Sequence, residues 1–127
     1  MSVTAAELVA EARQGIREIS PLDAKAEQAA VWIDVREPAE FTVGHIPKAI
    51  NIPRGVLEFQ VDAHPAVAGV SEPALSNKDC PLIVYCRTGG RAALAARSLQ
   101  AMGFSNVRSI AGGITAWSEA GLPIHAR

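Results

Sequence analysis

Aromatic side chains are scarce in this chain: three Phe, two Trp and one Tyr make up 5% of its 127 residues. A core of ordinary density must therefore be built from aliphatic side chains. Cysteine is as rare, with only Cys80 and Cys86. Two cysteines six residues apart fit neither a C-x-x-C redox motif nor a zinc knuckle, and they are too few for a disulfide-stapled scaffold. Charge of one sign is not in excess either. Lys and Arg number 12, Asp and Glu 13, and the net charge is −1. That balance excludes the Lys/Arg surplus that nucleic-acid binding needs. No apolar run approaches the roughly 18 residues of a membrane span. The opening, Met1 to Ala12, carries Glu7 and Glu11 and no basic stretch before an apolar run, which argues against a secretory signal. A cytoplasmic location is expected from these features.

What is present is alanine, at 23 positions, within a composition 49% hydrophobic and 20% charged. Alanine loses no side-chain entropy in a helix, so helices form easily. The apolar content is too high for a disordered chain. At 13.4 kDa the chain makes one domain. A domain of this length buries roughly two-thirds of its unfolded surface and needs no metal staple. Residues 1–127 are read as that single domain, with residues 1–15 as an extra N-terminal helix.

Local signals alternate between helix and strand. Thr4-Ala5-Ala6-Glu7 is a capping box for the first helix, which ends near Gly15. Ile16 to Ile19 is a short strand, and Ser20-Pro21-Leu22-Asp23 starts a helix running to about Ala29. Val31-Trp32-Ile33-Asp34-Val35 is a buried strand with its acid at the exit. A short helix follows over Glu37 to Phe41, then a Gly44-His45-Ile46-Pro47 turn and a brief strand at Ala49 to Ile52. Residues 54–79 are less regular, with a helix around Val56 to Val61, and such an excursion can act as a lid. Pro81 to Tyr85 is a strong strand and Arg91 to Met102 a strong helix closed by Gly103 and Phe104 in a Schellman motif. Val107 to Ile110 and Gly113 to Glu119 supply a last strand and helix. Strands separated by helices predict an α/β fold: a mostly parallel five-stranded sheet with helices on both faces.

The chemistry concentrates in Tyr85-Cys86-Arg87-Thr88-Gly89-Gly90-Arg91. A buried strand ends at a cysteine, and a Gly-rich loop then leads into a helix. Ligands of open parallel sheets bind at the C-terminal ends of strands. Gly89 and Gly90 permit positive φ, so successive N–H groups can turn inward as an anion nest. The following helix adds its positive end, and Arg87 and Arg91 add two charges. Each effect favours thiolate over thiol. The competing reading is a small inert core cysteine. The nest and both arginines favour a nucleophile.

These segments resemble the single-domain rhodaneses, the thiosulfate sulfurtransferase-like family. The motifs are Cys86-Arg87-Thr88-Gly89-Gly90-Arg91, then Ile33-Asp34-Val35-Arg36-Glu37-Pro38-Ala39-Glu40-Phe41 followed by Gly44-His45-Ile46-Pro47-Lys48-Ala49-Ile50-Asn51-Ile52-Pro53, and the closing Gly112-Gly113-Ile114-Thr115-Ala116-Trp117. The resemblance covers about residues 16–123 and departs at Lys48, where the family usually has Gly. It implies a rhodanese-like three-layer sandwich and sulfur transfer through a persulfide on Cys86. The donor would be thiosulfate or a persulfide or polysulfide. The acceptor would be a thiol, cyanide or a protein cysteine, with no cofactor, no metal, no nucleic acid and no membrane. Arg87, Thr88, Gly89, Gly90 and Arg91 would bind the donor. Arg87 would steer the anion, and Arg91 would brace the loop.

Asp34 and Arg36 are supporting residues in this reading. Asp34 is expected to orient Arg91, with a helix cap for residues 37–41 as the alternative. Arg36 and Glu40 are expected to form a local ion pair. His45 suits a structural hydrogen bond. His64 and His125 are expected to face solvent, and Trp32 and Trp117 to pack in the core. Arg54 and Phe59 line the pocket in one reading and anchor a surface loop in another. A disulfide between Cys80 and Cys86 is disfavoured, because four strand residues between them span about 13 Å.

Two other activities compete with sulfur transfer. A non-catalytic interaction module of the same fold would be expected to lack the cysteine. The phosphatases and arsenate reductases similar in fold to rhodaneses are the third possibility. Phosphatase loops of this type place five residues between Cys and Arg, whereas four separate Cys86 from Arg91. The tighter ring suits a single terminal sulfur better than a tetrahedral phosphate.

Overall fold

The computed structural model describes residues 2–62 and 73–126. The elements follow in the order α1 (Ala5–Gly15), β1 (Arg17–Ile19), α2 (Pro21–Lys25), β2 (Val31–Asp34), α3 (Pro38–Val43), β3 (Ile50–Asn51), α4 (Leu57–Val61), β4 (Leu82–Tyr85), α5 (Gly90–Ala101), β5 (Val107–Ile110) and α6 (Gly113–Glu119). Short 3₁₀ turns at Arg54–Val56 and Pro73–Ser76 flank the segment that holds His64, which lies outside the described residues.

The five strands form one sheet in the order β1-β5-β4-β2-β3, and every pairing is parallel. The expected architecture is therefore present, with a sheet that is wholly rather than mostly parallel. The chain leaves β2 for β3 on one side and β4 for β5 on the other. A crevice opens at such a divergence, beyond the C-terminal ends of the two central strands.

Strand alternation divides the side chains between two cores. Ile33, Val35, Leu82, Val84 and Cys86 face α5 and α4, where they meet Ala92, Ala95, Ala96, Leu99 and Leu57. Trp32, Ile83, Tyr85 and Ile110 face the other way, against Ala24, Ile46 and Trp117. The two tryptophans meet edge to face at 5.6 Å. With so few aromatics, the α5 side is filled almost entirely by aliphatic and alanine methyl groups.

Local chemistry sets the element ends. Thr4 and Glu7 cap α1 reciprocally. Ser20 caps α2 with Pro21 in its first turn, but α2 ends at Lys25, short of the expected Ala29. Glu27 and Ala30 are held in turns instead, because the chain must reverse here to enter β2. At the end of α5, Gly103 takes φ +100° and its amide donates to the Gln100 carbonyl, while the Phe104 amide donates to Leu99. That is the expected Schellman closure. Lys48 adopts φ +73°, alone among the described non-glycine residues in the left-handed region. The turn demands that conformation, which explains why glycine suits the position better than lysine.

Candidate active site

Cys86 sits at the end of β4 and is 1% exposed. It forms the floor of the loop. The Gly89 amide donates to Sγ at 3.0 Å and the Ala92 amide at 3.4 Å. Both donors are backbone N–H groups aimed at the sulfur from within the loop and the first turn of α5. Gly89 takes φ +123°, as the nest requires. Gly90 does not: it opens α5 in helical geometry, so the expectation of two left-handed glycines is corrected to one. The Ala92 amide was not foreseen. It lies past the motif, in the first turn of α5, where N–H groups have no intrahelical acceptor.

The loop is held from behind by α6. Ile114 and Thr115 donate their amides to the Cys86 and Arg87 carbonyls at 2.9 and 3.1 Å. With those carbonyls engaged, the loop amides are free to face the sulfur. This close approach requires Gly113: a Cβ there would lie 2.5 Å from both carbonyl oxygens, and its φ is +61°. Gly113→Ala is expected to cost about 2–4 kcal/mol, from overpacking and a strained backbone together. Urea denaturation measures it, and a loss below about 1 kcal/mol would show that α6 yields easily.

Arg91 forms a two-point pair with Glu40, at 2.8 and 3.1 Å, and not with Asp34. Asp34 instead binds Arg36. Its Oδ1 accepts from the Arg36 amide at 2.9 Å, and its two oxygens accept from Arg36 Nε and Nη2 at 2.7–3.1 Å. Two expectations are thereby corrected: Asp34 does not orient Arg91, and Arg36 does not pair with Glu40. The reason is geometric. Arg36 precedes α3 and lies in extended chain, so four-residue spacing does not place it beside Glu40. A two-residue turn does place it over the Asp34 carboxylate. Asp34 is not the cap of α3 either, because Glu37 holds that position.

Asp34 and the Arg36 side chain are almost fully buried. Burial pulls the Arg36 guanidinium down, but the Asp34 hydrogen bonds and charge outweigh it and leave the group above its ordinary value. Arg36 also donates to the Gly44 carbonyl at 2.6 Å. Asn51 donates to the Asp34 and Arg36 carbonyls, tying in β3. Tyr85 is raised well above its usual range by burial and by the Asp34 charge, and its Oη accepts from the Ile46 amide at 3.0 Å.

Glu40 is the site-shaping residue that the sequence reading assigned elsewhere. The Arg91 hydrogen bonds hold its carboxyl at about 2, well below the ordinary 4.5. A depressed carboxylate stabilises the fold fully above its unfolded value, and that contribution disappears as pH falls towards the folded one. Wild type is therefore expected to lose stability faster than Glu40→Gln between about pH 4.5 and 2. The pair is partly exposed, so the neutral-pH difference should be about 1 kcal/mol or less. Parallel pH dependences of the denaturation midpoint would contradict this.

Other candidates fall in varied places. Arg87 and Thr88 are exposed at the rim. Arg87 lines a groove of about 460 Å3 with Arg36, Thr115 and Glu119. Arg54 turns to Glu58 and to Ser98, two turns along α5, rather than to the loop. Phe59 is about half exposed on α4. His45 stacks on Phe41 at 3.8 Å with Nδ1 3.0 Å from the Phe41 carbonyl, a structural role. His125 is exposed but exchanges backbone hydrogen bonds with His45. No disulfide joins Cys80 and Cys86; Cys80 lies just ahead of β4 and Cys86 just past it. Among the described residues, no helix is long and apolar enough to cross a membrane.

A parallel α/β sheet with a cysteine-centred amide loop beyond its central strand defines a class, and comparison with known proteins narrows it. Residues 19–120 match the rhodanese-like domain family. The chain belongs to that family. It is 34% identical over 94 residues to a sulfurtransferase of Allochromatium vinosum, covering 74% of this chain and 77% of that protein. It is 36% identical over 103 residues to the thiosulfate sulfurtransferase GlpE of Pseudomonas syringae, covering 80% and 86%. Among solved structures, a Rhodopseudomonas palustris protein of unknown function, described as a possible tyrosine phosphatase, superposes with a TM-score of 0.84. It is 34% identical, with 98% of this chain and 96% of that one covered. The polysulfide-sulfur transferase homodimer of Wolinella succinogenes gives a TM-score of 0.74 at 30% identity, covering 95% and 86%. Relatives named for sulfur transfer support that general activity for this chain.

Proposed function

We propose that this chain moves a sulfane sulfur from a small anionic donor to a thiophilic acceptor through a persulfide on Cys86. The observation that carries the reading is the Cys86 sulfur on the floor of the loop with two backbone amides directed at it. The Cys86 thiolate attacks the outer sulfur of thiosulfate. The S–S bond of the donor breaks, its electron pair leaves with sulfite, and a Cys86–S–S⁻ persulfide remains. Loop amides between Arg87 and Arg91 stabilise the charged outer sulfur, as an oxyanion hole stabilises oxygen. A thiolate, cyanide or a protein cysteine then attacks that sulfur and restores the Cys86 thiolate. Arg87 attracts the donor from the rim. Arg91, locked by Glu40, braces the loop. No cofactor or metal enters these steps, and the cytoplasmic location belongs to the same reading.

A buried nucleophile favours this chemistry. A terminal sulfur on a small anion can reach the loop floor, whereas a tetrahedral phosphate needs a wider ring than four residues between Cys86 and Arg91 allow. Intact mass spectrometry after incubation with thiosulfate should show one added sulfur, removed by cyanide. No uptake from thiosulfate, polysulfide or glutathione persulfide would sink the transferase reading. Cys86-dependent release of phosphate without sulfur uptake would transfer the site to the phosphatase class named for the Rhodopseudomonas neighbour.

A further inference from the structure

The first helix lies before the family's matched segment, yet it reaches the loop. Helix α1 packs along α5. Val9 Cγ2 lies 3.7 Å from where a Cβ on Gly90 would stand, and Arg13 Nη2 lies 2.9 Å from the corresponding point on Gly89. Gly89 is the residue whose amide donates to Cys86 Sγ. A guanidinium from outside the matched segment therefore sits against the backbone that holds the sulfur.

The charges around the loop give this position weight. Arg91 is engaged at two points by Glu40, so its charge is largely neutralised. Arg13 is held more loosely. Its Nε meets Glu18 Oε2 at 3.4 Å, a single contact, and the two side chains are 43% and 30% exposed. Such a single-contact, exposed pair is weak, so the guanidinium can leave Glu18 for an anionic solute. Glu18, at the centre of the edge strand β1, draws Nε towards itself while Nη2 rests beside Gly89.

We infer that Arg13 is a specificity-determining residue of the site: it selects anionic sulfur donors over neutral ones by placing positive charge beside Gly89 of the loop. This rests on the sulfur-transfer reading of Cys86 and adds the charge class of the donor and an element outside the family match. Arg13 touches neither the reacting sulfur nor its amides' acceptors. Its effect is on the approach and binding of the donor, not on the bond-making atom.

The test compares two alkylating agents of nearly equal size, anionic iodoacetate and neutral iodoacetamide, at Cys86, read by peptide mass. Access through the loop and the thiolate fraction cancel in the rate ratio. Arg13→Ala is expected to lower the iodoacetate-to-iodoacetamide ratio about five- to tenfold at low salt, with the difference collapsing near 1 M salt. Arg13→Lys should keep most of the ratio. In thiosulfate turnover Arg13→Ala should raise KM and leave kcat within about twofold. An unchanged ratio in Arg13→Ala, or a change insensitive to salt, overturns the inference. If wild type takes up no sulfur, the sulfur-transfer reading fails instead, and the alkylation ratio still decides whether Arg13 favours anions.

Discussion

Replacing Cys86 by serine is expected to abolish sulfur uptake completely while leaving the fold standing. The hydroxyl is isosteric to within the larger radius of sulfur, and it can accept from the Gly89 and Ala92 amides that now reach Sγ at 3.0 and 3.4 Å. Burying a hydroxyl in this largely aliphatic surround should cost about 1 kcal/mol when both donors remain engaged. Chemistry has no such substitute. A serine hydroxyl is scarcely ionised at neutral pH and forms no persulfide. The mass shift after thiosulfate should therefore vanish, while thermal denaturation should remain cooperative with a midpoint only about 3–5 °C lower. Sulfur uptake by Cys86→Ser would move the activity to Cys80. That thiol lies ahead of β4, with the whole strand between it and the loop.

The second large effect concerns stability. Asp34→Ala is expected to cost about 3–5 kcal/mol, because it leaves the Arg36 guanidinium buried without its counter-charge. Several segments depend on that pair at once. Arg36 also reaches the Gly44 carbonyl, and Asn51 bonds the carbonyls of Asp34 and Arg36. Losing the carboxylate should loosen the exit of β2, the turn after α3 and the start of β3 together. Helix α3 carries Glu40, and Glu40 holds Arg91, so sulfur transfer should weaken as well. The double variant Asp34→Ala/Arg36→Met removes both charges and should recover part of the loss. Chemical denaturation of the two variants decides the matter. A single variant within about 1 kcal/mol of wild type would mean that water replaces the carboxylate without penalty.

The sequence was most informative where the controlling interactions are local. The cap at Thr4, the proline start of α2 and the Gly103 closure of α5 depend on neighbours within a few residues, and each appears as read. The buried strands were legible because continuous apolar runs have few other homes in an alternating chain. The Cys86 loop was legible for the same reason: strand, glycines and helix start are contiguous. Partner choice was not. Glu40 and Arg91 are 51 residues apart, and only the packing of β2 beside β4 brings their elements together. Spacing along the chain suggested Arg36 for Glu40, and the family resemblance suggested Arg91 for Asp34. The fold exchanges those partners, because Arg36 stands outside the helix that the spacing argument assumed. The reach of α1 was hidden likewise, since a helix cap says nothing about which surface the helix covers.

The alanines of α5 carry a consequence beyond easy helix formation. Ala92, Ala95 and Ala96 press against the sheet with essentially no exposure. Ala93 is equally buried but outside that cluster. It shares a face with Gly90, three residues earlier, where Val9 of α1 makes contact. Small groups on both sides make α5 a thin partition. A few methyl groups set the separation between the leading helix and the sulfur, so a larger residue on that partition would push a distant cation outward without altering any atom of the reaction.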